Sequence, residues 1–117
     1  MSWIPPKIKG QIIKDPTYQT CLRRRYFNDH VCQGRVTWEH AIIYAGNQLQ
    51  EKWAIIPICE YAHSVGRWQN NGILDKEKNV YLALIRATNE ELASISKAVD
   101  YLQLRKYLNK KYESQRQ

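Results

Sequence analysis

Glu39 and His40 are adjacent in the sequence, and Cys59 and His63 follow a second apolar segment. These four residues limit the possible folds and functions of the protein more than any other feature of its sequence. A carboxylate beside an imidazole places a hard oxygen ligand and a titratable nitrogen at one point of the chain. The carboxylate can hold a divalent metal while the imidazole takes a proton from water. This combination predicts hydrolytic metal chemistry of the kind that nucleases use.

The segments around these residues predict how the two halves of the site meet. Residues 35–38 alternate as in a strand and leave Glu39 and His40 at its end, and residues 54–58 form an apolar run of strand length. A hairpin of the two segments would bring their ends together. The residues Cys59 and His63 are four positions apart, so a helix starting at Cys59 would carry both on one face.

The same stretch resembles the HNH, or ββα-metal, endonucleases, whose core is a β-hairpin carrying Asp/Glu-His, followed by a helix that opens with C-x-x-C-H or C-x-x-C-N. The segment Trp38-Glu39-His40 is similar to the first motif, and residues 57–63 are similar to the second, with Ala62 at the second cysteine. Ala54 stands where the family has its asparagine, about nine residues before His63. The resemblance covers roughly the middle third of the chain.

The resemblance implies an α+β fold with a ββα-metal core of β-hairpin and helix, followed by a C-terminal helical extension. It also implies that His40 is the general base and that Glu39 and His63 hold Mg²⁺ or Mn²⁺. The substrate would be duplex or branched DNA, and a phage-type, resolvase-like nuclease would be expected to act as a homodimer. The non-catalytic alternatives are that His40 is a structural histidine and that Glu39 is a surface carboxylate.

The three cysteines are an odd number, which in a reducing compartment favours buried thiols or metal ligands over a disulfide. Many HNH proteins carry a structural zinc beside the catalytic metal. Here Cys21, Cys32 and Cys59 are the candidate zinc ligands, and His63 would complete a Cys₃His set. If His63 closed that set, Glu39 would lose its partner.

The positive charge lies mainly at the two ends of the chain. Residues 1–35 carry a net charge of +5 and residues 97–117 carry +4, whereas residues 36–96 carry −2. Basic ends suit phosphate binding, although solvated surfaces would give the same pattern. Tyr26 and Phe27, next to the arginine run, are either stacking residues or core. The residues expected to bind nucleic acid are Arg23, Arg24, Arg25, Arg105, Lys106, Lys110 and Lys111.

The length of 117 residues and the hydrophobic content of 44% predict a single HNH-like domain over residues 1–117. Its expected parts are an extended arm over 1–20, an HNH core over 21–72 and a helical extension over 73–114. Within the extension we expect a helix over 74–87. A second helix begins at the capping box that starts at Thr88, and its apolar stripe continues as far as Tyr112.

No apolar run approaches the ~20 residues of a membrane helix, and the first residues lack the apolar core of a signal peptide. The expected location is therefore the cytoplasm, in a bacterial host cell if a phage encodes the protein. The expected function is metal-dependent DNA cleavage. The alternative is a non-catalytic HNH-derived protein that binds nucleic acid or inhibits a nuclease, which the alanines at 54 and 62 favour.

Overall fold

The computed structural model describes residues 3–44, 46–65 and 76–116. Helices and strands are mixed in these ranges, which is compatible with the expected α+β class. The α-helices are α1 (Pro6–Ile13), α2 (Leu22–Phe27), α3 (Lys76–Leu84), α4 (Asn89–Ile95) and α5 (Tyr101–Tyr112). The strands are β1 (Val36–His40), β2 (Ile43–Tyr44), β3 (Asn47–Gln48) and β4 (Ile55–Cys59). In the described ranges, no helix has both the length and the apolar character that crossing a bilayer requires.

Strands β1 and β4 form the antiparallel pair that the sequence predicts. Val36 lies opposite Cys59, and His40 lies opposite Ile55. All five residues of β4 are buried, because α2 and α3 pack against this strand and β1 pairs with it. The pairing fixes Glu39 opposite Ile56, at the end of β1.

The chain after β4 turns back towards β1. Residues Tyr61–Val65 form one turn of π-helix, so a helical segment follows β4 as expected. The expectation that this helix starts at Cys59 and carries Cys59 and His63 on one face is wrong, because Cys59 is the last residue of β4. The predicted end of this helix at Gly66 and residues 70–72 lies outside the described residues. The first residues of the predicted helix over 74–87 also lie outside them, and α3 is described from Lys76.

The helical extension shares one hydrophobic core with the strand pair. The rings of Phe27, Tyr81 and Tyr112 join α2, α3 and α5, with centroids 5.7 to 6.1 Å apart. Aromatic rings bury large apolar areas and gain from such tilted contacts. Phe27 is therefore a core residue, while Tyr26 lies half-buried beside the core.

The expectation of an extended arm over residues 1–20 is wrong. Residues 6–13 form α1, and Pro16–Gln19 forms a 3₁₀ turn. Proline is compatible with the first position of a helix, because the amide proton it lacks would have no partner there. Ile12 is fully buried with Tyr18, whose hydroxyl lies 2.9 Å from the carbonyl oxygen of Ile55. The segment is thus docked on β4.

The expectation of one continuous helix from the capping box to Tyr112 is also wrong. The capping box itself is confirmed, but the helix that it starts ends at Ile95. The Ser96 hydroxyl accepts from the Tyr101 amide, and the Asp100 side chain caps α5 by accepting from the Gln103 amide. Such local hydrogen bonds compete with helical ones, so the apolar stripe passes through a break and leaves Val99 exposed.

Candidate active site and cysteine–histidine cluster

Glu39 is a buried carboxylate held by a single well-defined neighbour on α3. Its Oε2 accepts a hydrogen bond of 2.8 Å from the side-chain nitrogen of Asn79. Only 7% of Glu39 is exposed. This hydrogen bond occupies Oε2 and leaves Oε1 for a different contact.

The other oxygen faces His63, so the structure brings the two proposed metal ligands together. Glu39 Oε1 lies 3.3 Å from His63 Nδ1. These atoms are not aligned for a hydrogen bond, and among the described residues the buried Nδ1 has no hydrogen-bond partner. Two ligands on adjacent corners of an octahedron with bonds of ~2.1 Å are ~3 Å apart. The separation therefore suits one small divalent ion bound by both atoms.

His40 is held in one tautomer by Gln50. Its Nε2 lies 2.9 Å from Gln50 Oε1, and the amide nitrogen of Gln50 donates to the carbonyl oxygen of Trp3 at 3.2 Å. Because an amide oxygen only accepts, the proton of neutral His40 must be on Nε2. The Nδ1 atom then carries the lone pair, and it has no hydrogen-bond partner within the described ranges. An oriented imidazole of this kind can accept a proton.

These three side chains line a cleft of about 690 Å³. The cleft also contains Arg35 and Lys76, two cations that no sequence motif indicates. The side chain of Arg35 is 89% exposed. Their proximity depends on the strand pairing and on the approach of α3, so no local sequence signal identifies them. Glu60 also lines the cleft, and its Oε1 lies 3.5 Å from Arg35 Nε, so two cations and two carboxylates share this lining.

A second group of potential ligands consists of Cys21, His30, Cys32 and Cys59. Their ligand atoms all lie within 4.8 Å of one another. The Nε2 atom of His30 faces the three sulfur atoms, at 3.6 Å from Cys21, 3.6 Å from Cys32 and 3.3 Å from Cys59. In a tetrahedral zinc site, bonds of ~2.3 Å to sulfur and ~2.05 Å to nitrogen hold these atoms ~3.6 Å apart. The cluster can therefore hold a metal ion such as zinc.

The other ring nitrogen of His30 has the contact that zinc-binding histidines usually make. Its Nδ1 lies 2.9 Å from Asp29 Oδ1, and a carboxylate in this position fixes the tautomer with a free Nε2. Without a metal, burial first and then the neighbouring Cys21 and Cys59 raise the pKa of Cys32 to about 12. A bound divalent cation would instead favour the deprotonated thiols.

The fourth member of the cluster is His30, and the proposed Cys₃His set containing His63 is wrong. His63 lies against Glu39 and is not part of the four-residue group. The sequence contains a signal for His30, which is two residues from Cys32, a spacing close to that of zinc ligands. The two metal-binding candidates therefore use different histidines.

Arg23 is not available to bind phosphate, which corrects its assignment to the nucleic-acid contacts. It is fully buried, and its guanidinium donates to Asp29 Oδ2 at 2.9 and 3.0 Å and to Asn79 Oδ1 at 3.1 Å. Burial acts to raise the pKa of Asp29, but hydrogen bonds from Arg23 and His30 and the charges of Arg23 and Lys78 lower it to about 2. The pair is thus ionised and internal.

The remaining residues proposed to bind nucleic acid differ in their exposure and in their contacts within the protein. Arg24 and Arg25 are exposed, although Arg24 donates to the carbonyl oxygen of His30. Lys106 and Lys110 are exposed on α5. Two others are engaged within the protein: Lys111 lies 2.6 Å from Glu77, and Arg105 contacts the Ala87 carbonyl and the Asn89 side chain.

No family model, curated protein or solved structure matches this chain. The chemistry of the described residues is therefore the basis for assigning a function. It comprises a cleft lined by Glu39, His40 and His63 together with Arg35, Glu60 and Lys76, and a separate cluster of three thiols and an imidazole that could hold a metal ion.

Proposed function

We propose that the protein is a metal-dependent DNA endonuclease of the HNH type, which hydrolyses phosphodiester bonds. The observation that carries this proposal is the pair Glu39 Oε1 and His63 Nδ1, 3.3 Å apart in a cleft and without a mutual hydrogen bond. His40, the next residue of β1, lines the same cleft, and its buried Nδ1 has no hydrogen-bond partner among the described residues. The β1–β4 hairpin and the helical turn after it would be the ββα-metal core.

In this proposal Glu39 and His63 hold Mg²⁺ or Mn²⁺. When bound, such an ion neutralises charge on the scissile phosphate and its leaving oxygen. The donor set fits, since one hard carboxylate oxygen and one imidazole leave room for water and phosphate oxygens. Asn79 keeps Glu39 from turning away by holding Oε2.

His40 acts as the general base and takes a proton from the attacking water through Nδ1. Gln50 fills the orienting role that Ala54 cannot, since it holds the opposite ring nitrogen at 2.9 Å. Proton transfer by a positioned side chain typically contributes ~10²–10⁴-fold to the rate. Arg35 and Lys76 would bind the DNA backbone at the cleft, with further contacts from the exposed Arg24, Arg25, Lys106 and Lys110.

The proposal includes a structural zinc held by Cys21, His30, Cys32 and Cys59. This ion would tie the start of α2 and the loop before β1 to the end of β4, close to the helical turn that carries His63. Structural zinc contributes directly to folding free energy. The β1–β4 pair would then be fixed at the end opposite to Glu39.

Metal analysis of purified protein tests the zinc site. We expect one zinc per chain in the wild type and its loss in His30→Ala, because three cysteines alone leave the tetrahedron open. His63→Ala is the matched control and should retain the zinc. Retention in His30→Ala together with loss in His63→Ala would contradict the assignment.

A cleavage assay on supercoiled and branched DNA tests the catalytic proposal. Protein with its zinc content verified is incubated with Mg²⁺, Mn²⁺ or no added divalent ion. We expect cleavage only with the added ion. His40→Ala should reduce the rate ~10²–10⁴-fold without loss of DNA affinity. Glu39→Gln should also inactivate the protein, but by weakening metal binding. Excess Mn²⁺ should therefore partly restore cleavage by this variant.

The matched control for Glu39 is Glu60→Gln, which removes another carboxylate from the same cleft and should still cleave. A wild-type protein that binds DNA but cuts none of these substrates with any divalent ion would exclude the nuclease. The non-catalytic binding protein would then replace it.

A further inference from the structure

A chain of polar contacts connects the cysteine–histidine cluster to Glu39. His30 Nδ1 lies 2.9 Å from Asp29 Oδ1, and Asp29 Oδ2 accepts from Arg23 at 2.9 and 3.0 Å. Arg23 Nη1 donates to Asn79 Oδ1 at 3.1 Å, and Asn79 Nδ2 donates to Glu39 Oε2 at 2.8 Å. Four successive contacts therefore link a cluster residue to the proposed catalytic carboxylate.

The donor and acceptor roles of these groups fix the direction of each hydrogen bond in the series. A guanidinium only donates and an ionised carboxylate only accepts. Asn79 must therefore turn its oxygen to Arg23 and its nitrogen to Glu39, and a flipped amide would break both hydrogen bonds. Arg23 is fully buried and Asn79 is 1% exposed, so water cannot replace the missing partners, and a buried unpaired group is costly.

The same hydrogen bonds fix the orientation of the Glu39 carboxylate. Its Oε2 is held by Asn79, and its Oε1 is left facing His63 Nδ1 at 3.3 Å. At the other end of the chain, the three sulfur atoms surround Nε2 of His30, so a metal there would place the imidazole proton on Nδ1, towards Asp29. The contacts from His30 to Glu39 thus form one continuous connection between the two sites.

We infer that Arg23 and Asn79 are positioning residues, which hold Glu39 towards His63 and couple the proposed divalent-ion site to the cysteine–histidine cluster. The part of this inference that concerns ion affinity rests on the proposed function. The orientation of Glu39 towards His63 does not require it. In this role Asn79 acts directly on Glu39 Oε2, and Arg23 acts through Asn79.

The experiment compares Asn79→Ala and Arg23→Lys with Tyr81→Phe. Arg23→Lys keeps the charge but loses the planar fork that reaches two partners at once. Tyr81→Phe is the control, because it removes a hydrogen bond of 2.6 Å to Asn109 from the same helix α3, outside the chain of contacts. Two quantities are measured on zinc-loaded protein whose fold is checked by circular dichroism: the Mn²⁺ dissociation constant, and the ¹⁵N resonances of the His63 ring without Mn²⁺.

We expect Asn79→Ala and Arg23→Lys to weaken Mn²⁺ binding ~10–100-fold, the usual cost of losing an outer partner of a metal ligand. Both should shift the His63 Nδ1 resonance, and Tyr81→Phe should change neither quantity. If the wild type binds Mn²⁺ and both positioning variants keep its affinity and the His63 resonance, the coupling is wrong and the proposed function stands. If the wild type binds no Mn²⁺, the proposed function fails, and an unshifted His63 resonance in the variants would overturn the positioning role as well.

Discussion

Arg23 carries a permanent charge inside the protein, where Asp29 and Asn79 are its partners. Arg23→Ala would keep His30 and Lys78 beside Asp29 but would remove the donor to the buried side-chain oxygen of Asn79. A buried polar group left without its partner typically costs ~1–3 kcal/mol. We therefore predict that Arg23→Ala lowers the free energy of unfolding by that amount. Its neighbour Arg24 is exposed, and Arg24→Ala should change stability by less than ~0.5 kcal/mol. Urea unfolding of zinc-loaded protein measures both, and equal effects would mean that the burial of Arg23 contributes little.

Individual site residues could be predicted only where chemistry and chain position coincide. The proximity of Glu39 and His63 was predictable because Glu39 lies near the end of one predicted strand and His63 lies shortly after the strand that pairs with it. Arg23 could not be separated from Arg24 in sequence, since burial depends on which side of α2 meets α3. Gln50 was missed because no periodicity or motif distinguishes a glutamine that happens to reach His40.

Helix α1 offers a direct test at the level of single elements, because two adjacent isoleucines have opposite environments. Ile12 is fully buried, and Ile13 is 57% exposed. Deleting a buried isoleucine side chain to alanine usually costs ~2–5 kcal/mol. Ile12→Ala should therefore destabilise the protein by that range, while Ile13→Ala should have an effect below ~0.5 kcal/mol. Thermal or urea unfolding distinguishes them, and an unaffected Ile12→Ala protein would mean that the burial of Ile12 contributes little to stability.

The elements that the sequence predicted correctly are those in which local preference and packing agree. Strands β1 and β4 have strand-like patterns and pair as expected, and the capping box at Thr88 starts a helix. The wrong predictions come from sequence patterns that are compatible with two different structures. Proline at the start of α1 initiates a helix as readily as it interrupts one, and an apolar stripe does not reveal a break such as that before α5.

At the scale of the whole molecule, the net charge of +7 predicts salt-dependent binding to DNA. Counterion release lowers the logarithm of affinity by ~0.9 per bound phosphate for each decade of salt. We expect Arg24→Ala/Arg25→Ala to reduce this slope by ~0.9 for every phosphate that the variant no longer binds, similarly for different DNA sequences. Arg24→Lys/Arg25→Lys keeps the charges and should keep the slope. If the alanine variant retains the wild-type slope, these arginines do not face the DNA.

In the function proposed above, two different metal ions occupy two sites that a chain of hydrogen bonds connects. Anomalous diffraction from a zinc-loaded crystal soaked in Mn²⁺ tests it directly, because the two elements have separate absorption edges. We predict a zinc peak among Cys21, His30, Cys32 and Cys59, and a manganese peak between Glu39 Oε1 and His63 Nδ1. A zinc peak in the cluster without manganese at Glu39 and His63, or manganese bound elsewhere in the cleft, would contradict the nuclease site proposed for this protein.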